Sequence, residues 1–259
     1  MSIKKPIVSV ILRTFNEERW IAHSLNAIFT QEFDNFEIII VDNNSSDHTL
    51  EIVKRFPIKK IVMIDKFLPG KALNDGIRES SGEFIVCISA HCIPKDKYWL
   101  KNLHKHFSGN KKYAGVYGRQ LPLSYTSDAD KRDLLITFGQ DQKIQVKDYF
   151  FHNANSMIPR DIWEKFPFEE TATNIEDRIW GKSVIDAGYQ IVYDPEASVY
   201  HYHGLHQHAQ SSPRAKGIAK ILNKIDKESI GDLPKSLKPQ NANFSVVLPV
   251  LGQHSVVKG

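Results

Sequence analysis

Ile38-Ile39-Ile40-Val41 runs directly into Asp42-Asn43-Asn44-Ser45-Ser46-Asp47-His48-Thr49, and this stretch constrains the fold more than any other. An unbroken β-branched run reads as a strand buried on both faces, the pattern of a parallel sheet covered by helices. It ends in a carboxylate followed by small polar residues, with Asp47 or Ser46 placed to cap a helix opening near Thr49. A polar crest at the carboxyl end of such a strand is where open α/β sheets bind their ligands. Asp42 can accept a hydrogen bond from an imide N–H such as that of uracil or thymine, and its neighbours can line a ribose.

Other strand-like runs are Ile7–Leu12, Lys60–Ile64, Glu83–Ser89, Tyr113–Tyr117 and Gln190–Tyr193. Helical patterns lie between the early ones: Glu17–Phe29, Leu50–Phe56 and Lys71–Ser80. Strand alternating with helix predicts a parallel, doubly wound α/β sheet. Asp96–Phe107, Asp161–Phe166 and Glu176–Ala187 read as further helices, the last closed by Gly188.

At 259 residues the chain holds one good-sized α/β domain, with or without an appendage. Hydrophobic content of 41% and charged content of 25% are ordinary for a soluble globular protein. A net charge of +4 suits anionic substrates or a membrane surface and is too small to argue for nucleic acid. Cys87 and Cys92 are the only cysteines. One strand holding both would separate them by about 17 Å, too far for a disulfide, so reduced cytosolic thiols are expected. No apolar run reaches the ~20 residues of a membrane span, and the N-terminus has no signal-peptide core. The expectation is a soluble cytoplasmic protein that works at the inner face of a membrane or away from it.

Composition changes after His208. Ala215–Lys227 reads as a basic amphipathic helix, Gly231–Asn243 as a proline-spaced linker, and Phe244–Val250 as a strand-like run. The predicted division is a domain over residues 1–208, with halves meeting near residue 95, and an appendage over 209–259. The tail is either the start of a second domain or an edge strand returning to the first. The basic helix is most simply a solvated face, with peripheral membrane contact as the other reading.

Chemistry-bearing residues follow the strands. Arg13-Thr14-Phe15-Asn16-Glu17 opens the first helix, where free N–H groups favour an anion. Gly70-Lys71-Ala72-Leu73-Asn74-Asp75-Gly76 opens the third and brings Lys71 to phosphate reach. Ser89-Ala90-His91 follows the fourth strand. In a right-handed parallel sheet these loops meet on one edge.

These segments, with Ser81-Gly82-Glu83, resemble the inverting family-2 glycosyltransferases of the GT-A fold, in the rhamnosyltransferase-like branch, over about residues 7 to 204. The resemblance implies a mixed, mainly parallel sheet flanked by helices and a nucleotide-diphosphate sugar donor. It implies that Thr14, Glu17 and Asp42 hold base and ribose, with Lys71 and Asn74 near the ribose or diphosphate, and that Asn16, Asn44, Ser89, Ala90 and His91 also belong to the donor side. The family usually has Asp-x-Asp where this chain has Ser89-Ala90-His91. An imidazole suits Mn²⁺ or Zn²⁺ better than Mg²⁺. Either His91 binds a divalent cation, Mn²⁺ before Mg²⁺, with His201 or His203, or Lys71, His⁺ and helix N-termini stabilise the diphosphate alone. A structural zinc cluster over His201, His203, His206 and His208 lacks a supporting cysteine or carboxylate motif.

In the second half, Asn174-Ile175-Glu176-Asp177 matches the family's acidic pair at a helix start. Inversion needs a base on the face of the sugar opposite the leaving group. Asp177 is the candidate, with Glu176 supporting it, although helix N-terminal charge alone also favours such residues. Arg119 in Gly118-Arg119-Gln120, Asn153 and Asn155 in the Asn-rich loop, and Trp180 are the expected acceptor-side residues. The implied acceptor is a glycan or lipid-linked sugar in bacterial surface-polysaccharide synthesis. The rivals are a nucleotidyltransferase, disfavoured because the first loop lacks glycine, and a non-catalytic sugar-nucleotide or glycan-binding module.

Overall fold

Val8–Thr14 forms the first strand, β1, and its residues alternate between two hydrophobic layers. The computed structural model describes residues 5–109, 112–202, 221, 222 and 225. His203, His206, His208, the linker and the tail lie outside the described residues, as does most of the basic helix. Contacts divide the chain into two compact units, Met1–Gln207 and His208–Gly259, and the first carries every element named below.

After β1 come α1 (Ile21–Phe29), β2 (Phe36–Asp42), α2 (Thr49–Val53), β3 (Lys60–Met63), α3 (Pro69–Arg78) and β4 (Phe84–Ser89). The chain turns at Ala90 and His91 into β5 (Cys92–Pro94), then forms α4 (Trp99–His104) and β6 (Tyr113–Leu121). It continues through α5 (Asp128–Thr137), β7 (Lys143–Gln145), β8 (Asn155–Pro159), α6 (Arg160–Lys165), α7 (Glu176–Asp186) and β9 (Gln190–His201). The sheet has nine strands in the order β3-β2-β1-β4-β8-β6-β9-β5, with β7 paired to β9. The first four of these are mutually parallel. β8 enters antiparallel to both β4 and β6, while β6 and β9 are parallel again. The sheet is therefore mixed and mainly parallel, as expected.

Val8, Val10 and Leu12 of β1, with Ile38 and Ile40 of β2, pack under α1 and α4 through Ile21, Leu25, Ile28, Trp99 and Leu103. Ile11, Ile39 and Val41 face the other way, toward Leu73 and Ile77 of α3 and toward Trp180 and Val184 of α7. This two-sided burial is why the Ile38–Val41 run contains no polar residue. Helix α3 lies close against the sheet: a Cβ on Gly76 would stand 2.6 Å from Val41 Cγ2 and 2.7 Å from Ile11 Cγ2.

Two expectations need correction. Cys87 and Cys92 are both buried and free but occupy separate strands, because the chain bends at the polar Ser89–His91 step. The fifth predicted strand runs on to Leu121, so Arg119 lies within β6 rather than after it. Short β5, β7 and β8 and helix α5 gave no periodic signal long enough to read. Among the described residues, no helix is long and apolar enough to cross a membrane.

Candidate active site

Strand direction gathers the chemistry on one edge. β1, β2, β4, β6 and β9 all end there, β8 and β5 begin there, and α7, which precedes β9, starts there. Side-chain alternation then divides that edge in two. Thr14 and Asp42, paired across β1 and β2, point to the α1 side. Arg13, one residue earlier, points to the α3 and α7 side.

On the first side, Thr14 Oγ1 is buried and has no hydrogen-bond partner among the described residues, a position that invites a ligand polar group. Asp42 is fully buried beside it. Ser45 donates to both of its carboxylate oxygens, from N at 2.8 Å and from Oγ at 2.6 Å. The loops after β1 and β2 brace each other. Asn16 Oδ1 accepts from Ser46 N at 2.8 Å, Asp47 Oδ1 accepts from Thr49 N at 3.0 Å, and Glu17 N donates to Thr49 Oγ1 at 2.7 Å. Asn44 Nδ2 donates to Asp65 at 3.2 Å. Phe15, the next residue after Thr14, is 53% exposed.

Among the described residues, the non-glycine positions with positive φ are Asn16 (52°), Asn44 (55°) and Ile175 (53°), and all three stand on this edge. Asparagine tolerates that region, whereas a β-branched residue there is strained by about 1–3 kcal/mol.

Next to β4, Ser89 and the buried Ala90 lead into His91. Ser24 Oγ steadies this turn by donating to the carbonyls of Ala90 at 2.6 Å and Cys92 at 2.8 Å. His91 Nδ1 lies 2.6 Å from Glu17 Oε1, and both side chains are largely buried. The His91 ring stacks on His201 with centroids 5.1 Å apart and planes 12° from parallel. His201 Nδ1 in turn lies 2.6 Å from Gln120 Oε1, while Gln120 Nε2 donates to His152 Nδ1 at 3.0 Å. An oxygen acceptor on Nδ1 directs the lone pair of each neutral ring to Nε2, the arrangement that orients imidazole ligands of metals. One donor atom each from His91, His201 and Cys92 lies within 4.8 Å of the others. Burial pushes the Cys92 thiol well above its usual range, so the two imidazoles are the serviceable donors. Such a set fits Mn²⁺ or Zn²⁺ and is poor for Mg²⁺.

On the other side stands the acidic pair. Ile175, in the left-handed conformation, precedes α7 and turns Glu176 and Asp177 back into the site. Glu176 Oε1 accepts from Arg13 at 3.1 Å and from Asn153 Nδ2 at 3.4 Å. Asp177 Oδ2 accepts from Asn153 N at 3.3 Å and Oδ1 from Arg178 N at 2.8 Å. Burial raises the Asp177 carboxyl above the ordinary range, against the pull of Arg178 and these N–H groups. Burial and the neighbouring Asp177 charge raise Glu176 as well.

Several expected site residues are committed elsewhere. Asn74 is fully buried: it donates to Phe168 O and Glu170 Oε1 and accepts from Trp163 Nε1 and Phe168 N, using its whole amide to tie α3 to the 163–170 loop. Trp180 is 1% exposed, lies against Phe151 and Phe168, and donates to Phe166 O, so it is core rather than acceptor surface. Asn155 is buried between Trp99 Nε1, Arg119 O and Ala197 O. Arg119 Nε donates to Phe138 O at 3.1 Å, and Lys71 Nζ pairs with Asp75 at 2.5 Å on an exposed helix face. Arg13 and Gln120, both inside strands, were not singled out from the sequence, since alternation fixes the face of the sheet but not what the side chain meets there.

The chain is similar in sequence to a dolichyl N-acetyl-alpha-D-glucosaminyl phosphate 3-beta-D-2,3-diacetamido-2,3-dideoxy-beta-D-glucuronosyltransferase of Methanococcus voltae. Identity is 34% over 161 residues, covering 57% of this chain and 50% of the relative. It is also similar to the O-antigen chain rhamnosyltransferase RfbN of Salmonella typhimurium, with 26% identity over 213 residues, covering 76% and 66%. The chain thus spans about half to two thirds of these relatives. In structure it is similar to the mannosyltransferase PcManGT of Pyrobaculum calidifontis in complex with GDP-Man and Mn²⁺. The TM-score is 0.64 at 20% identity, covering 89% of this chain and 66% of that one, a likeness of fold. Residues 9–166, more than half of the chain, match the family described as Glycosyl transferase family 2, and the chain belongs to that family.

Proposed function

We propose that this chain transfers one sugar, with inversion, from a nucleotide-diphosphate sugar to a glycan or lipid-linked acceptor in surface-polysaccharide synthesis. The observation that carries the reading is the Asp177 carboxyl, desolvated and held by two backbone N–H groups on the same edge as Thr14 and Asp42. The activities these relatives are named for, transfer to a dolichyl-linked sugar phosphate and to an O-antigen chain, agree with it.

Thr14 and Asp42 are assigned to the base, with UDP or dTDP favoured because a carboxylate accepts from an imide N–H. Entry of the base replaces the Ser45 hydroxyl on Asp42. Glu17, Asn16 and Asn44 shape the ribose side, and Ser89, Ala90 and His91 face the diphosphate. Asp177 takes the proton of the acceptor hydroxyl as its oxygen bonds the anomeric carbon, and the nucleoside diphosphate leaves from the opposite face. Glu176, already bonded to Arg13 and Asn153, orients the start of α7 rather than receiving that proton. His91 and His201 would hold a divalent cation, whose charge would offset that of the leaving diphosphate. Glu17 and Gln120 orient their rings.

The transferase work is assigned to residues 1–208, and a lipid-linked acceptor would bring it to the inner membrane face. The test is to offer UDP-, dTDP- and GDP-sugars with glycan acceptors and determine the anomer of any product by NMR. Transfer with inversion that Asp177→Asn abolishes supports the reading. Retention of configuration, or full transfer by that variant, defeats it.

A further inference from the structure

Trp20, Tyr125 and Tyr202 come from three separate strand ends: before α1, after β6 and directly after His201 of β9. They nevertheless meet. Trp20 and Tyr202 have centroids 4.7 Å apart, Trp20 and Tyr125 6.4 Å apart with planes 18° from parallel, and Tyr125 and Tyr202 6.0 Å apart. The Arg19 guanidinium carbon lies 4.8, 5.4 and 5.9 Å from the centroids of Trp20, Tyr202 and Tyr125. Arg19 is exposed and enters no ion pair among the described residues. Tyr125 is 55% exposed.

A cluster built only for stability would bury its rings in the core, as Phe151 and Trp180 do on the far side of the sheet. Here Tyr125 is exposed and Trp20 and Tyr202 are half-buried, on the edge that carries the candidate active site. Tyr202 adjoins His201, and Arg19 and Trp20 follow Glu17, which bonds His91. Tyr125 and Tyr202 follow β6 and β9, while Trp20 follows β1, the strand that carries Thr14.

We propose that Trp20, Tyr125 and Tyr202 form the platform for an acceptor sugar ring, and that Arg19 reads an anionic group on that acceptor. An aromatic face presents negative charge to the C–H face of a pyranose and buries large apolar area at little entropic cost. Stacking leaves the edge N–H donors of a guanidinium pointing outward, in a fork that matches a carboxylate or a phosphate. The ligand class is therefore an anionic saccharide, whether uronate or sugar phosphate. This inference rests on the glycosyltransferase reading and names the acceptor side of the same site.

The experiment is calorimetric titration of the full chain with a glucuronate disaccharide, with N-acetylglucosamine 1-phosphate, with a neutral disaccharide and, separately, with UDP. Wild type is expected to bind at least one anionic saccharide more tightly than the neutral one. Tyr125→Ala and Trp20→Ala should each weaken saccharide binding about tenfold and leave UDP binding unchanged. Arg19→Gln should erase the preference for the charged ligand. The uronate and phosphate arms tell the two sources apart. Should Trp20→Ala not fold, the exposed Tyr125 and Arg19 variants carry the test. Loss of UDP binding with saccharide binding intact would count against the transferase reading and leave the platform standing. UDP binding without saccharide binding in wild type, or saccharide binding indifferent to these variants, overturns the platform.

Discussion

Arg13 at the end of β1 and Glu176 at the start of α7 are 163 residues apart in sequence, yet Nη1 and Oε1 lie 3.1 Å apart with little solvent at either side chain. Arg13 also donates to Pro69 O at the head of α3. One guanidinium thus fixes the starts of two helices against the strand that carries Thr14.

Removing one member of so buried a pair leaves the other uncompensated, at a cost of about 3–5 kcal/mol. Arg13→Met should therefore lower the melting temperature much more than substitution of an exposed pair such as Lys182 and Asp186. Glu176→Gln keeps the shape and should lose less. A double-mutant cycle by thermal denaturation checks both, and additive losses would show that the pair is not coupled.

Asp177→Asn should lower kcat by about 10²–10⁴-fold while UDP affinity holds. Because its carboxyl is raised by burial, the acid limb of kcat/KM should sit above the ordinary aspartate range, with activity rising as pH rises. Stability runs the opposite way. With the folded pKa above the unfolded value of about 3.9, the folded state binds more protons through that window and loses stability as pH rises. Asp177→Asn should consequently be more stable than wild type at neutral pH, with the gap closing below pH of about 3.9. Melting curves at acid and neutral pH decide it.

Chelation tests the histidine pair. If His91 and His201 hold a cation, EDTA should depress transfer, Mn²⁺ should restore it better than Mg²⁺, and His201→Ala should remove the dependence. Equal rates with and without chelator would leave protein cations as the only counter-charge.

Gly76→Ala should destabilise by about 1–3 kcal/mol, because the added methyl meets Val41 and Ile11 inside van der Waals range. Denaturant midpoints measure this.

The first four strands were legible because their signals are local: β1 to β4 alternate with helices, and each strand end carries its polar residues in the next few positions. Side-chain commitments were not legible. Nothing in Gly70–Gly76 says that Asn74 spends its amide on Phe168, more than ninety residues away, or that Gly76 exists for close packing. Asn155 and Trp180 failed for the same reason, since a motif position does not reveal which way a side chain turns once distant loops close over it. Arg13 and Gln120 went unread because a charged or amide side chain inside a strand looks like a solvent-facing residue until the opposing helix or histidine is in place.

Strands β3, β2, β1 and β4 lie together at one end of the sheet, and the last of them is complete at Ser89. The opposite end is closed by β9, which pairs with β5, β6 and β7 and begins only at Gln190. N-terminal segments emerge and fold first during synthesis, so the Thr14–Asp42 edge has all its strands well before β9 leaves the ribosome. A chain terminated before Gln190 would keep those strands while lacking His201 and the strand that three others need. On the proposed assignment of Thr14 and Asp42 to the base, such a fragment would hold nucleotide without turning it over and would compete with the intact protein for it.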